Sequence, residues 1–148
     1  MPGIIVGIDG SDHSHRALEW AVNEAAVRHA PLTVLTVNQA VAGIWGGGPV
    51  QYPGDQDRAS QAREAAQKQT DSIIESGTAG SRPPQVTVEA VTGFPAEELL
   101  RASAGADMIV VGSRGAGGFR RLRGMGSVAN QLTHHAHCPV VVIPDDEA

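Results

Sequence analysis

One stretch of this chain gathers residue types that hold an anion. Gly112-Ser113-Arg114-Gly115, Gly117-Gly118 and Gly126-Ser127-Val128 follow one another there, with Arg120, Arg121 and Arg123 between them. Gly112 and Gly115 let the backbone approach a ligand closely, and Gly117 and Gly118 take positive φ without strain. Ser127 stands where a helix is expected to open, so its hydroxyl and the first-turn N–H groups face the same point. Backbone donors of a loop joined to a helix N-terminus form a cradle for phosphate. Arg114, held between two of these glycines, suits bidentate contact with phosphate oxygens. Arg120, Arg121 and Arg123 read either as further phosphate partners or as a solvated cluster. A flexible turn with an ordinary N-cap uses the same residue types, and it is the order strand, loop, helix that favours a ligand.

The elements that must position this loop follow from periodicity. Gly3 to Ile8 is a continuous apolar run with β-branched residues, which predicts a strand covered on both faces. Asp9-Gly-Ser-Asp12 supplies turn and capping types, and Ala17, Trp20, Ala21 and Ala25 fall at helical spacing in a helix predicted over 14–29. Pro31 stops that helix, and 32–37 is the second strand. Residues 38–57 carry Gly43, Gly46 to Gly48, Pro49 and Pro53, which predicts a long flexible loop. Trp45 or Tyr52 in that loop could lie over a ligand as a lid, or the loop could be disordered. A second helix over 57–76 has Ala62, Ala65, Ala66, Ile73 and Ile74 as its apolar stripe. Strands at 86–91, 107–111 and 139–143 alternate with helices at 95–104 and 127–136, and the acidic tail 145–148 is expected to be disordered.

This pattern predicts one α/β domain over 1–148. The fold expected is an open five-stranded parallel sheet, doubly wound and Rossmann-like, with strand order 3-2-1-4-5 and helices on both faces. Ligands of such sheets sit beyond the carboxyl ends of the strands, where the strand order reverses. Three loops therefore converge. The first supplies Gly7, Ile8, Asp9 and Ser11, the second Val37 and Asn38, and the third the stretch from Gly112 onward. Asp9 has a second reading as a turn or capping residue, and Asp12 and Ser14 read as plain caps.

Several chemistries lose ground. No Gly-Lys-Ser or Gly-Lys-Thr occurs, and the first turn, Gly7-Ile-Asp-Gly10-Ser, lacks the G-x-G-x-x-G of dinucleotide folds. His134, His135 and His137 with Cys138 invite a metal, but their spacing fits no familiar zinc site, and histidines near a helix C-terminus are the plainer explanation. No catalytic residue is assigned. A net charge of -5 and only 3% aromatic residues disfavour nucleic acid as a partner. The single cysteine excludes an internal disulfide, and no apolar run is long enough to span a membrane, so a cytoplasmic protein with no membrane partner is expected.

Nearly the whole chain resembles the universal stress protein family. The resemblance rests on Ile4-Ile-Val-Gly-Ile-Asp-Gly-Ser11, Val110-Val-Gly-Ser-Arg-Gly115, Gly126-Ser127 and His135-Ala-His-Cys-Pro-Val-Val-Val-Ile143. It implies a five-stranded α/β fold, frequent dimerisation and, in one subclass, ATP binding through G-x2-G-x9-G-[ST]. The pattern maps onto Gly112, Gly115, Gly126 and Ser127, with Ser127 and Val128 near the phosphates. The resemblance further implies that Asp9 meets the ribose and the Val37 backbone the adenine edge. One departure stands out, since ten residues, Ala116 to Met125, separate Gly115 from Gly126 where the family has nine.

The function expected is a stress-response protein that binds ATP, with Mg2+ associated with the phosphates, and hydrolyses it slowly at most. A nucleotide-free dimerisation or interaction module is the alternative, and an adenylate-forming enzyme ranks last because the chain has no room for a second substrate domain. The uncharged strand 139–143 is expected at a sheet edge, where it would pair with a second copy in a homodimer.

Overall fold

The computed structural model of the chain describes residues 3–10, 12–39, 41–42, 49–50, 52–77, 82–113 and 127–144. Strand β1 (Ile4–Ile8) leads through α1 (Asp12–Arg28) to β2 (Leu32–Gln39). Two short strands, β3 (Val41–Ala42) and β4 (Pro49–Val50), precede α2 (Asp55–Ser76) and β5 (Val86–Gly93). The chain continues through α3 (Pro95–Ser103), β6 (Met108–Gly112), α4 (Ser127–His135) and β7 (Val140–Ile143). The main sheet has the order β5-β2-β1-β6-β7 and every neighbouring pair in it is parallel. Counting only these five strands along the chain, this is the order 3-2-1-4-5 of the doubly wound fold.

Two apolar layers cover the sheet. On one face Ile4, Val6, Ile8, Leu32, Val34 and Val88 pack against Ala17, Leu18, Ala21 and Ala25 of α1 and Ala66 and Ile73 of α2. On the other, Leu35, Ile109 and Val111 pack against Leu99 of α3 and Ala129 and Leu132 of α4. Alternation along each strand divides the side chains between the two layers. Helix α1 ends where His29 takes φ 54 and the Ala30 N–H donates back to the Ala25 carbonyl at 2.9 Å. Pro31 follows, and its carbonyl accepts the Ile4 N–H at 2.9 Å, which ties the start of β2 to β1.

Within 38–57 the described residues form regular elements that the glycines and prolines there do not predict. β2 continues to Gln39 because β5 pairs with it as far as Gly93, and Val41–Ala42 pairs antiparallel with Pro49–Val50. α2 then starts at Asp55, earlier than expected. Gly54 caps it with φ 90, Asp55 Oδ2 accepts the Tyr52 N–H at 2.6 Å, and Arg58 pairs with the same carboxylate. Trp45 and Gly43 to Gly48 lie outside the described residues, as does the tail 145–148. In α2 the buried stripe also differs from the predicted one. Ala65 is exposed, while Thr70 is fully buried and donates its hydroxyl hydrogen bond to the Ala66 carbonyl at 2.7 Å.

α3 packs tightly on β1 at Gly7. A Cβ there would stand 2.8 and 2.9 Å from the two methyls of Leu99 and 3.4 Å from Val111 Cγ1. Leu99 is itself 4% exposed and has little room to retreat. Gly7→Ala is expected to lower unfolding stability by about 1–3 kcal/mol through overpacking, with the secondary structure retained. Urea denaturation followed by circular dichroism measures it, and an unchanged midpoint would show that the helix yields.

Candidate functional site

The carboxyl ends of β1, β2 and β6 lie side by side, and the strand order reverses between β1 and β6. A right-handed crossover in each direction sends α1 and α2 to one face and α3 and α4 to the other, which parts the loops at this point. The sequence candidates Gly7, Ile8, Asp9, Val37, Gly112 and Ser113 stand at these strand ends. Ser127 and Val128 open α4, which runs back from the same end of the sheet.

Asp9 follows β1 and is exposed. Its backbone N–H donates to Ser14 Oγ at 3.3 Å, and Ser14 is 3% exposed inside the first turn of α1. Gly10 bends the chain there with φ +82, a conformation that side chains disfavour, although an added Cβ would meet nothing within 4 Å. Ser14, expected as a plain cap, thus pins the turn that presents Asp9. Ser11 lies outside the described residues.

β2 outruns β1. The β1 ladder closes with Ile8 opposite Thr36, whereas the β5 ladder continues with Val37, Asn38 and Gln39 opposite Val91, Thr92 and Gly93. Beyond Thr36, β2 therefore has a ladder partner in β5 alone, and the edge above β1 is open. The Val37 side chain packs on the core layer of α3 and α4. Its backbone is what the site is offered. Asn38 Nδ2 donates to Thr92 Oγ1 at 3.3 Å, so β5 holds the amide in place. Sequence reasoning missed Thr92 here, because only the register of β2 against β5 brings it beside Asn38.

At β6 the last ladder pair is Gly112 with Ile143, and the Ser113 N–H donates to the Ile143 carbonyl at 2.8 Å. The chain that leaves β6 is anchored up to that residue. Arg114, Gly115, Gly117, Gly118, Gly126, Arg120, Arg121 and Arg123 lie outside the described residues. On the far side of that segment, Ser127 Oγ accepts a hydrogen bond from Gln131 Nε2 at 3.2 Å. With that acceptor site used, the Ser127 hydroxyl hydrogen is directed elsewhere, and the first-turn N–H groups of α4 have no partner within the helix. Donors of this kind favour an anion.

The histidines and the cysteine stand at the other end of α4. The rings of His134 and His135 are 6.2 Å apart and tilted by 60°. Burial pushes the Cys138 thiol up from its ordinary pKa, opposed by a backbone hydrogen bond from Ile109. Among the described residues no three His, Cys, Asp or Glu side chains are grouped to hold a metal ion, and no helix is long and apolar enough to cross a membrane.

Comparison with known proteins agrees with this fold. The model of the universal stress protein family matches residues 2–144. A universal stress protein of Mycolicibacterium smegmatis is 34% identical over 145 residues, which cover 98% of this chain and 49% of the relative. The chain spans about half the length of the curated relatives it matches. The solved structure of UspA from Lactobacillus plantarum superimposes with a TM-score of 0.77 at 25% identity, covering 96% of this chain and 97% of that one. A universal stress protein crystallised in complex with cAMP has a TM-score of 0.67 at 23% identity, with 98% of each chain covered.

The Ser14 hydroxyl makes the turn at Asp9 the most testable part of the site's framework. Ser14→Ala is expected to cost about 1–2 kcal/mol of stability by removing the hydroxyl that bonds the turn at Asp9 to α1. Chemical denaturation measures the loss, and a variant as stable as the parent would show that the turn does not depend on this bond.

Proposed function

The chain belongs to the universal stress protein family, and on that premise we propose that it binds ATP beyond the carboxyl ends of β1, β2 and β6 and uses occupancy as a stress signal. The observation that carries this reading is the open edge of β2 beside Asp9, opposite the start of α4. That arrangement offers a flat hydrogen-bonding edge for a base, a carboxylate for a sugar and an anion-favouring helix terminus for phosphate. The complex of a fold neighbour with cAMP supports an adenine nucleotide as the ligand class.

Each residue takes the role its chemistry suits. The Val37 backbone pairs with the adenine edge. Asp9 accepts from ribose hydroxyls, because a carboxylate beside phosphate would be repelled. Gly112, Ser113, Arg114, Gly115, Gly117, Gly118, Gly126, Ser127 and Val128 form the phosphate cradle. The tenth residue between Gly115 and Gly126 falls in the arginine-rich segment and leaves Gly112-Ser113 and Ser127-Val128 in place. Mg2+ would enter with the nucleotide, neutralising charge between its phosphates. Hydrolysis is slow, since no P-loop lysine and no base beside the loop are assigned. A cytoplasmic location belongs to the same proposal.

Self-association through β7 completes it. The two sheet edges differ, for Arg63 of α2 donates from Nε to the Val88 carbonyl of β5 at 3.0 Å and occupies that edge. No described side chain hydrogen-bonds to the backbone of β7, whose Val140, Val141 and Val142 are only half-buried. A second copy pairing there would cover them.

Equilibrium dialysis of the full chain against ATP, ADP and AMP at millimolar concentration is expected to show binding, weakened about tenfold in Asp9→Ala. Absence of binding for all three would overturn the nucleotide reading in favour of an interaction module. Light scattering at micromolar concentration is expected to return twice the 15.3 kDa chain mass, and a monomer would overturn the pairing at β7.

A further inference from the structure

Along β2 the row of side chains that faces α1 and α2 changes character at the top of the sheet. Leu32 and Val34 belong to the aliphatic core, and the next residues of the same row are Thr36 and Asn38. Thr36 is 6% exposed, and among the described residues its hydroxyl has no hydrogen-bond partner. Such a burial is unfavourable unless something else takes up the hydroxyl. Asn38, half-buried, spends its Nδ2 on Thr92 Oγ1, and its carbonyl Oδ1 has no partner among the described residues. Thr36 is level with Ile8, the last residue of β1, so Asn38 stands one step above the end of β1 beside the open edge of Val37.

From this juxtaposition we infer that Asn38 and Thr36 read the base and select adenine against the 6-oxo purines. The inference rests on the nucleotide site proposed above. With its amino group held by Thr92, the Asn38 amide presents an acceptor. Adenine carries a 6-amino donor that matches an acceptor, while guanine and hypoxanthine carry an oxygen at the same place and would oppose it. The Thr36 hydroxyl, able to donate or accept, takes a ring nitrogen next to that group. Thr92 is a positioning residue, since its hydroxyl holds the Asn38 amide in place beside the open edge.

Titration calorimetry of the full chain with AMP, IMP and GMP tests this, because the three share one ribose phosphate and differ only in the base. The parent is expected to prefer AMP at least about tenfold over the other two, the loss of roughly one hydrogen bond. Thr36→Val removes the hydroxyl at nearly constant shape, and it is expected to weaken AMP about tenfold without lowering the melting temperature. Asn38→Ala is expected to lose the preference for AMP. Thr92→Val frees the amide to turn over, so GMP and IMP should gain relative to AMP. Equal affinities of the parent for all three, or parental AMP affinity and selectivity in Thr36→Val and Asn38→Ala, would overturn base reading and leave nucleotide binding standing. A parent that binds none of the three would overturn the nucleotide site itself.

Discussion

The structure depends on one short strand being enclosed on every side. β1 is bonded to β2 along one edge and to β6 along the other, and its two faces lie under different pairs of helices. Only apolar side chains satisfy such a position, hence Ile4, Ile5, Val6 and Ile8 in sequence, with Gly7 leaving space for Leu99. Because the chain moves outward from β1 in one direction through β2 and β5, and then in the other through β6 and β7, the helices must change faces beside β1. The parting of loops beyond that strand is a consequence of topology. Asp9, Gly10 and the start of α1 on one side, and Ser113 on the other, are placed there before any ligand is considered.

Unequal strand lengths then shape what the parting offers. β1 ends at Ile8, yet β2 is carried three residues further by its pairing with β5. Backbone groups that would be satisfied in the middle of a sheet are left facing a space, which is unfavourable unless water or a ligand meets them. The same height marks the change from Val34 to Thr36 and Asn38. An aliphatic residue at either position would extend the core. A threonine and an asparagine make the top of β2 a polar ledge.

The alternation of strands and helices is legible in the residues because each element has a pattern of its own. Runs of Val and Ile between Gly, Pro and Asp mark the five strands, and the spacing of Ala17, Ala21 and Ala25 marks α1. The convergence of Asp9, Val37 and Gly112 follows from that alternation alone. What is not legible depends on partners distant in sequence. Val41–Ala42 and Pro49–Val50 are too short to show a period, and the extension of β2 is decided by β5, some fifty residues away, as a rough count. Thr70 reads as a break in the apolar stripe of α2, but a carbonyl one turn back satisfies its hydroxyl and lets it sit in the core. Thr92 carries no signal until its register with Asn38 is known.

The far side of the site is tied to the edge of the sheet. Gly112 and Ile143 form the final pair of the β6 and β7 ladder, and the next bond runs from the Ser113 N–H to the Ile143 carbonyl. β7 continues directly into Pro144, whose carbonyl accepts a bond from Arg16 of α1 at 2.8 Å. One short path therefore joins the first residues after β6, the exposed edge strand and the helix that follows Asp9. Movement of Ser113 away from its position breaks a bond to β7, and movement of β7 strains both Ser113 and Arg16. A strand held at its end by the residues that border the site cannot shift without disturbing that border.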